Sequence, residues 1–268
     1  MASSGISPEL LRALIAGLAL SALIPFLVAP VLRRVGRLDR INAGAVAAHY
    51  GSVSVVTFVT ASQIYNESAF VVAGFMVAVL AVMETPAILS GLLVARNANG
   101  TTLIERELLR EVLVNGSVVL LVGSFFIGVA IGPDGFDPIE PVFTSGFTGI
   151  LCLFLLDMGL VAVRRILQTR TLSRRLVVLA VLFPLGNGTI GVAVGTLIGL
   201  DPASSAAFGV LAASASYIAV PAAMRLSLPQ ADAGLYLAMS LGVTFPFNLV
   251  LGIPLFRWMS ETLGSMSW

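Results

Sequence analysis

Apolar residues run along this chain in long blocks, separated by short polar stretches at fairly regular intervals. A helix needs about 20 apolar residues to cross the hydrocarbon core of a bilayer. Eight segments meet that length: 8–32, 40–63, 69–95, 111–132, 142–163, 174–199, 204–225 and 232–259. The separators have the chemistry of aqueous loops: Arg33 to Arg40, Tyr65-Asn66-Glu67, Asn97 to Glu111, Gly132 to Gly135, Arg164 to Arg175, Leu200-Asp201-Pro202, and Ser227 to Asp232. The pattern predicts an all-α polytopic membrane protein of about eight transmembrane helices. Segments 40–63 and 204–225 stand apart because they are rich in Gly, Ala and Ser, which suits helices that are broken or very closely packed.

Those two segments also share a motif. Gly51-Ser52-Val53-Ser54-Val55-Val56-Thr57 in one is echoed by Ala213-Ser214-Ala215-Ser216-Tyr217-Ile218-Ala219 in the other. Ser52 and Ser54 fall on Ser214 and Ser216 at an offset of 162, and the Leu38-Asp39 pair that leads into the first falls on Leu200-Asp201. Farther along, Thr85-Pro86 matches Phe245-Pro246 at an offset of 160. A repeated polar break at membrane depth is the sequence signature of a site built from paired discontinuous helices.

Composition narrows the class. Hydrophobic residues make up 57% of the chain and charged residues 11%, against about 25% charged in a soluble domain. Nothing here can cover an aqueous surface, and no basic face exists for nucleic acid. A single cysteine, Cys152, and a single histidine, His49, rule out disulfides and metal sites built on Cys or several His. The stretch Met1 to Glu9 lacks the basic start of a cleaved signal, so the first apolar segment reads as a true span.

Charge sets the orientation. All 15 basic residues are arginines, and 13 of them fall in alternate loops: Arg33, Arg34, Arg37 and Arg40; Arg96, Arg106 and Arg110; Arg164, Arg165, Arg170, Arg174 and Arg175; and Arg225. The other loops carry Glu67, then Asp134, Asp137 and Glu140, then Asp201. By the positive-inside rule the arginine side is cytoplasmic and both termini lie outside. Units 8–95 and 174–259 then each hold three spans, and segment 111–163 contributes two between them. Copies with an odd number of spans on either side of an even number have inverted topology.

Half-helix N-termini present unpaired N–H donors and positive partial charge, which suits a small oxyanion. Ser52, Ser54, Thr57, Ser214 and Ser216 would add hydroxyl donors around it, and Pro221 helps to fix the second break. Plain close packing of small residues is the competing reading of each break taken alone. Glu84, inside the third span, is an intramembrane carboxylate and hence a functional candidate. It either coordinates Na⁺ with Thr85 or a carbonyl freed by Pro86, or makes an interhelical hydrogen bond as a protonated acid. Around Pro246, Thr244 and Asn248 offer further neutral oxygens for an ion shell. His49 and Asn187 read first as hydrogen-bonded packing residues, and Asp157 as a partner for an arginine, a path or an oligomer contact.

At Tyr50-Gly51-Ser52-Val53-Ser54-Val55-Val56-Thr57, Met83-Glu84-Thr85-Pro86-Ala87 and Ala212-Ala213-Ser214-Ala215-Ser216-Tyr217-Ile218 through Pro221, the chain resembles the sodium-dependent bicarbonate transporters of cyanobacteria and their proteobacterial relatives. The closing Gly252-Ile253-Pro254-Leu255-Phe256 with Thr262-Leu263-Gly264 is similar too. The resemblance implies ten spans in two inverted five-helix repeats, of which the eight here correspond to the third to tenth. It implies a core domain that carries bicarbonate and Na⁺ between two broken helices, here 8–95 with 174–259. Segment 111–163 would then be gate or scaffold helices of a homotrimer that works by an elevator-like movement in the bacterial inner membrane. A PII-like protein would regulate it from the cytoplasm. Carried over by residue, the substrate site falls on Gly51, Ser52, Ser54, Thr57, Ser214 and Ser216, and the cation site on Glu84.

The leading expectation is a secondary active transporter of a small anion, with bicarbonate as substrate, Na⁺ as the coupling ion and no cofactor. A permease for another small anion, or a non-transporting scaffold or regulatory subunit derived from such a permease, is left open by the residues alone. No nucleophile–base pair, metal cluster or phosphate loop for an enzyme can be assembled from them.

Overall fold

A computed structural model describes residues 7–95, most of 123–169, and 171–266. The described residues are helical, with no strand among them: α1 (Pro8–Arg34), α2 (Arg40–Gly51), α3 (Val55–Glu67), α4 (Met76–Glu84), α5 (Pro86–Ala95), α6 (Glu140–Gln168), α7 (Arg174–Leu197), α8 (Pro202–Ala213) and α9 (Ala219–Ser227). The last apolar helix, α10 (Ala233–Ser265), contains two π-helical stretches, Ala238–Thr244 and Asn248–Gly252. Among the described residues six helices are long and apolar enough to span a bilayer, counting α2–α3 and α4–α5 as one each. The pair α8 and α9, expected as one span, is split into pieces of 12 and 9 residues. The expected fourth span, 111–132, lies largely outside the described residues.

Helix starts follow local chemistry. Ser7, Ser173 and Asp232 each accept a hydrogen bond from the backbone N–H three residues on, which satisfies one of the donors a helix start leaves free. Two positions matched in the sequence have the same local role. Asp39 caps α2 by accepting from Asn42 N–H at 3.0 Å, and Asp201 caps α8 by accepting from Ser204 N–H at 2.9 Å. The matched aspartates of the sequence therefore start the first half of each broken helix.

Hydrogen bonds also sort the loops onto two ends of the bundle. At the arginine-rich end Arg40 Nε donates to the Val94 carbonyl at 2.7 Å, Asp232 N–H donates to Asn42 Oδ1, and Thr171 donates to the Asp232 carboxylate. At the other end Ala73 N–H donates to Ser204 Oγ and the Arg257 guanidinium lies 4.7 Å over the Phe70 ring. The described loops assigned to one face by charge are thus physically joined. The unit α1 to α5 starts at the arginine-poor end, whereas the unit α7 to α10 starts at the arginine-rich end.

Small residues let these units close. A Cβ placed on Gly91 in α5 would sit 2.5 Å from the Ala48 Cβ of α2, and one on Gly209 in α8 would sit 2.4 Å from Val192 Cγ2 of α7. Gly209→Val should therefore cost about 1–3 kcal/mol by overpacking. A melting temperature in detergent equal to wild type would show that the α7–α8 contact gives way. The buried apolar residues form two clusters, one toward each end. Leu32, Leu92, Leu176 and Met224 belong to the first, and Leu10, Phe75, Leu200 and Phe256 to the second. The polar breaks lie between the two clusters, at mid-depth.

Candidate functional site

Both interruptions are real breaks in the helices. After Gly51 the chain is extended at Ser52 (φ −88°, ψ 176°) and Ser54 (φ −112°, ψ 111°) before α3 begins. After Ala213 it is extended at Ser214 (φ −75°, ψ 163°), and α9 begins only at Ala219. The two breaks meet. Ser54 N–H donates to Ser214 Oγ at 2.9 Å, and Ser216 N–H donates to the His49 carbonyl at 2.9 Å. Backbone groups released by breaking one helix are taken up by the other, as a low-dielectric interior requires.

The hydroxyls then divide by role. Ser52 Oγ donates to the Glu84 carbonyl at 3.1 Å, which fastens the first break to the end of α4. Ser214 Oγ donates to the Leu211 carbonyl while accepting from Ser54, so its proton is spent. Ser54 Oγ accepts both the Thr57 N–H and the Thr57 hydroxyl, at 3.2 and 2.9 Å, and so caps α3. Two hydroxyl protons enter the Ser54–Thr57 pair and one bond uses one of them. Ser216 Oγ accepts from Val220 N–H at 3.3 Å, and its own proton has no acceptor among the described residues. Tyr217, 7% exposed, points its hydroxyl toward Ser54 and Thr57 but closes no hydrogen bond of ordinary geometry.

Gly51 plays a different part from its neighbours. A Cβ there would lie 2.6 Å from the ring of Pro25 and 2.9 Å from Ala87 Cβ, so a side chain would push the break away from α1 and α5. Its role is close approach. Pro221 stands in the first turn of α9, where its missing N–H costs little.

Glu84 is 3% exposed at the end of α4, and its Oε2 has no partner. Thr85 caps that helix and is half-buried. The α4–α5 joint is held by Ser21 of α1, whose hydroxyl donates to the Met83 carbonyl at 2.6 Å and accepts from Ala87 N–H at 3.2 Å. On the other side Thr244 Oγ1 donates to the Ala180 carbonyl at 2.6 Å, so the Tyr50 hydroxyl, 2.7 Å away, must be the donor to it. Asn248 donates through Nδ2 to the Ala213 carbonyl at 3.0 Å and keeps a buried, unpartnered Oδ1. The four oxygens considered for a cation therefore split. Glu84 and Thr85 lie by the first break, Thr244 ties Tyr50 of α2 to α7, and Asn248 braces the second break.

His49 bridges the two. Its carbonyl accepts from Ser216, its Nδ1 donates to the Ala45 carbonyl at 2.7 Å, and its ring stacks on Tyr236 at 4.3 Å. Asn187 is buried and its Nδ2 has no partner, while Asp157 is exposed on the apolar surface of α6. Ser21, Tyr50 and Tyr217 escaped assignment to the site from sequence. The first two lack any mark beyond being polar in an apolar helix, but Tyr217 adjoins the second Ser-x-Ser, and that adjacency was the available signal.

An extended backbone with convergent hydroxyl protons, flanked by a helix start and one unpaired carboxylate, can bind a small oxyanion beside a cation. Comparison with known proteins agrees in class. A family model for the Na⁺-dependent bicarbonate transporter superfamily matches residues 1–261. No curated protein matches the chain.

Proposed function

The chain belongs to the Na⁺-dependent bicarbonate transporter superfamily, and from that premise we propose that it is a secondary transporter of bicarbonate, coupled to Na⁺, with its anion site where the two helix breaks cross. The observation that carries this reading is an excess of donors. Ser216 holds a hydroxyl proton without an acceptor, and Ser54, Thr57 and Tyr217 carry three hydroxyl protons with one hydrogen bond of ordinary geometry among them, all buried at the crossing. Buried donors in excess favour an acceptor-rich guest, and bicarbonate offers three oxygens. The N-terminus of α3 adds positive partial charge on the same side. An anion at this place competes with Ser214 for the Ser54 N–H, so binding loosens the bond that ties the two breaks together.

Glu84 supplies the anionic oxygen of the Na⁺ site, with Thr85 beside it. Inward movement of an anion alone runs against a negative-inside potential, and a coupled cation removes that cost. The opposed directions of α1 to α5 and α7 to α10 support reading them as inverted repeats of the bacterial inner membrane, with both termini outside and the arginine-rich end in the cytoplasm. A chain of this kind moves its broken helices against a scaffold that includes α6. That helix exposes Leu153, Leu156 and Leu160 together with Asp157, and a second copy covering this face would shelter the carboxylate.

Uptake of labelled bicarbonate into proteoliposomes tests the reading. Uptake should require an inward Na⁺ gradient and stop when Na⁺ is replaced by choline. Equal uptake without Na⁺ would remove the coupling, and no uptake under either gradient would remove the transporter. Tyr217→Phe deletes one donor to the anion and should raise the half-saturating bicarbonate concentration about 10–100-fold at unchanged maximal rate, from about 1.5–3 kcal/mol for a hydrogen bond to a charged ligand. An unchanged value would place Tyr217 in packing alone.

A further inference from the structure

At the arginine-rich end, the last turns of α1 and the end of α5 border a hollow of about 550 Å³. Phe26, Ala29, Pro30 and Val94 line its apolar part, and Arg33 and Arg34 stand at its polar part. Both guanidiniums are exposed, and neither has a hydrogen-bond or ion-pair partner among the described residues. Arg40 adds a third positive charge at the same rim, where it holds the Val94 carbonyl. We infer that this hollow binds an anionic phospholipid, its phosphate on Arg33 and Arg34 and its glycerol and upper acyl chain along Phe26, Ala29 and Pro30.

Several features point to a lipid rather than to a free phosphate. Seven residues separate Phe26 from Arg33, so the apolar part descends about 10 Å from the charged rim at 1.5 Å per helical residue. A free anion has no use for that depth, whereas a lipid fills it with chain. The volume lies within the roughly 300–1,000 Å³ typical of small-ligand sites. Arginines at a helix C-terminus complement its dipole, and basic loops fix orientation. Neither role requires two guanidiniums without a partner among the described residues above an apolar hollow. Basic hollows between spans on the arginine-rich side are where anionic headgroups settle.

The test is native mass spectrometry of the full-length detergent-solubilised protein titrated with phosphatidylglycerol or phosphatidylcholine. Phosphatidylglycerol should bind in preference, and R33Q/R34Q should weaken it about 30-fold while phosphatidylcholine binding stays constant. R33K/R34K keeps the charge and the orientation of the chain but loses the bidentate fork, and should fall between the two. A Phe26→Trp probe should be quenched by phosphatidylglycerol with brominated tails. Equal affinity for the two lipids, no phosphatidylglycerol binding to the wild type, or an unaffected R33Q/R34Q variant would each overturn the inference. So would complete displacement of the lipid by millimolar inorganic phosphate, which would make this a free-anion site. Transport activity is not the readout, so the result stands apart from the fate of the proposed function.

Discussion

Ser54→Ala should reduce bicarbonate uptake about 10- to 100-fold at low substrate concentration. This one hydroxyl does two things at the crossing. It caps α3 by accepting from Thr57 N–H, and it shares with Thr57 a hydroxyl proton that is left over for a guest. Loss of a hydrogen bond to a charged ligand costs about 1.5–3 kcal/mol, which is the stated range in affinity. Loss of the cap costs about 1 kcal/mol of helix stability in addition. The two losses separate experimentally, because the first appears in the half-saturating bicarbonate concentration and the second in the melting temperature. Ser54→Thr keeps both functions and should restore most uptake. Ser52→Ala is the comparison, since its hydroxyl is spent on the Glu84 carbonyl and its loss should act on the fold more than on the anion. A Ser54→Ala protein that melts lower yet takes up bicarbonate with wild-type affinity would confine Ser54 to capping.

Glu84→Gln should weaken Na⁺ activation of uptake about 10- to 100-fold and leave the protein no less stable. The side chain is buried at the end of α4 with one oxygen unpartnered, an expensive arrangement for a carboxylate unless a cation repays it. Glutamine keeps the shape and the neutral oxygen but removes the charge, at about 1.5–3 kcal/mol for a charged contact. Because an unpaired buried charge is also removed, the melting temperature measured without Na⁺ should stay level or rise. With Na⁺ present, the wild type should gain stability by mass action and the variant should gain little. Glu84→Asp should retain part of the activation. A Glu84→Gln protein with unchanged Na⁺ dependence would return this residue to an interhelical hydrogen bond.

Much of the fold was legible because the membrane imposes a coarse rule. Apolar blocks of spanning length must be helices, and the alternation of arginine loops must sort them by side. The matched aspartates at positions 39 and 201 turned out to be the caps of corresponding half-helices, which is why they recur at the same offset as the Ser-x-Ser pairs. The break positions were legible too, since extended Ser52 and Ser214 sit where the apolar runs turn polar. What each serine does was less so. Serines two residues apart within one motif have opposite tasks, one locking its break to neighbouring backbone and the other holding a spare proton.

The sequence alone determined the environment, the number and placement of most spans, the location of the breaks and the class of protein. Those properties depend on composition and spacing summed over many residues, and no single contact can overturn them. Tertiary structure decided which of the candidate oxygens lie together. It put Thr244 to work between Tyr50 and Ala180 and set Asn248 on the Ala213 carbonyl, while Glu84 stayed beside the first break. It also brought Tyr217 to face Ser54 from across the crossing. A hydroxyl or carboxylate can serve a ligand only with the valences its neighbours leave unused. That remainder is fixed by packing between residues 32 to 194 positions apart, which no local pattern encodes.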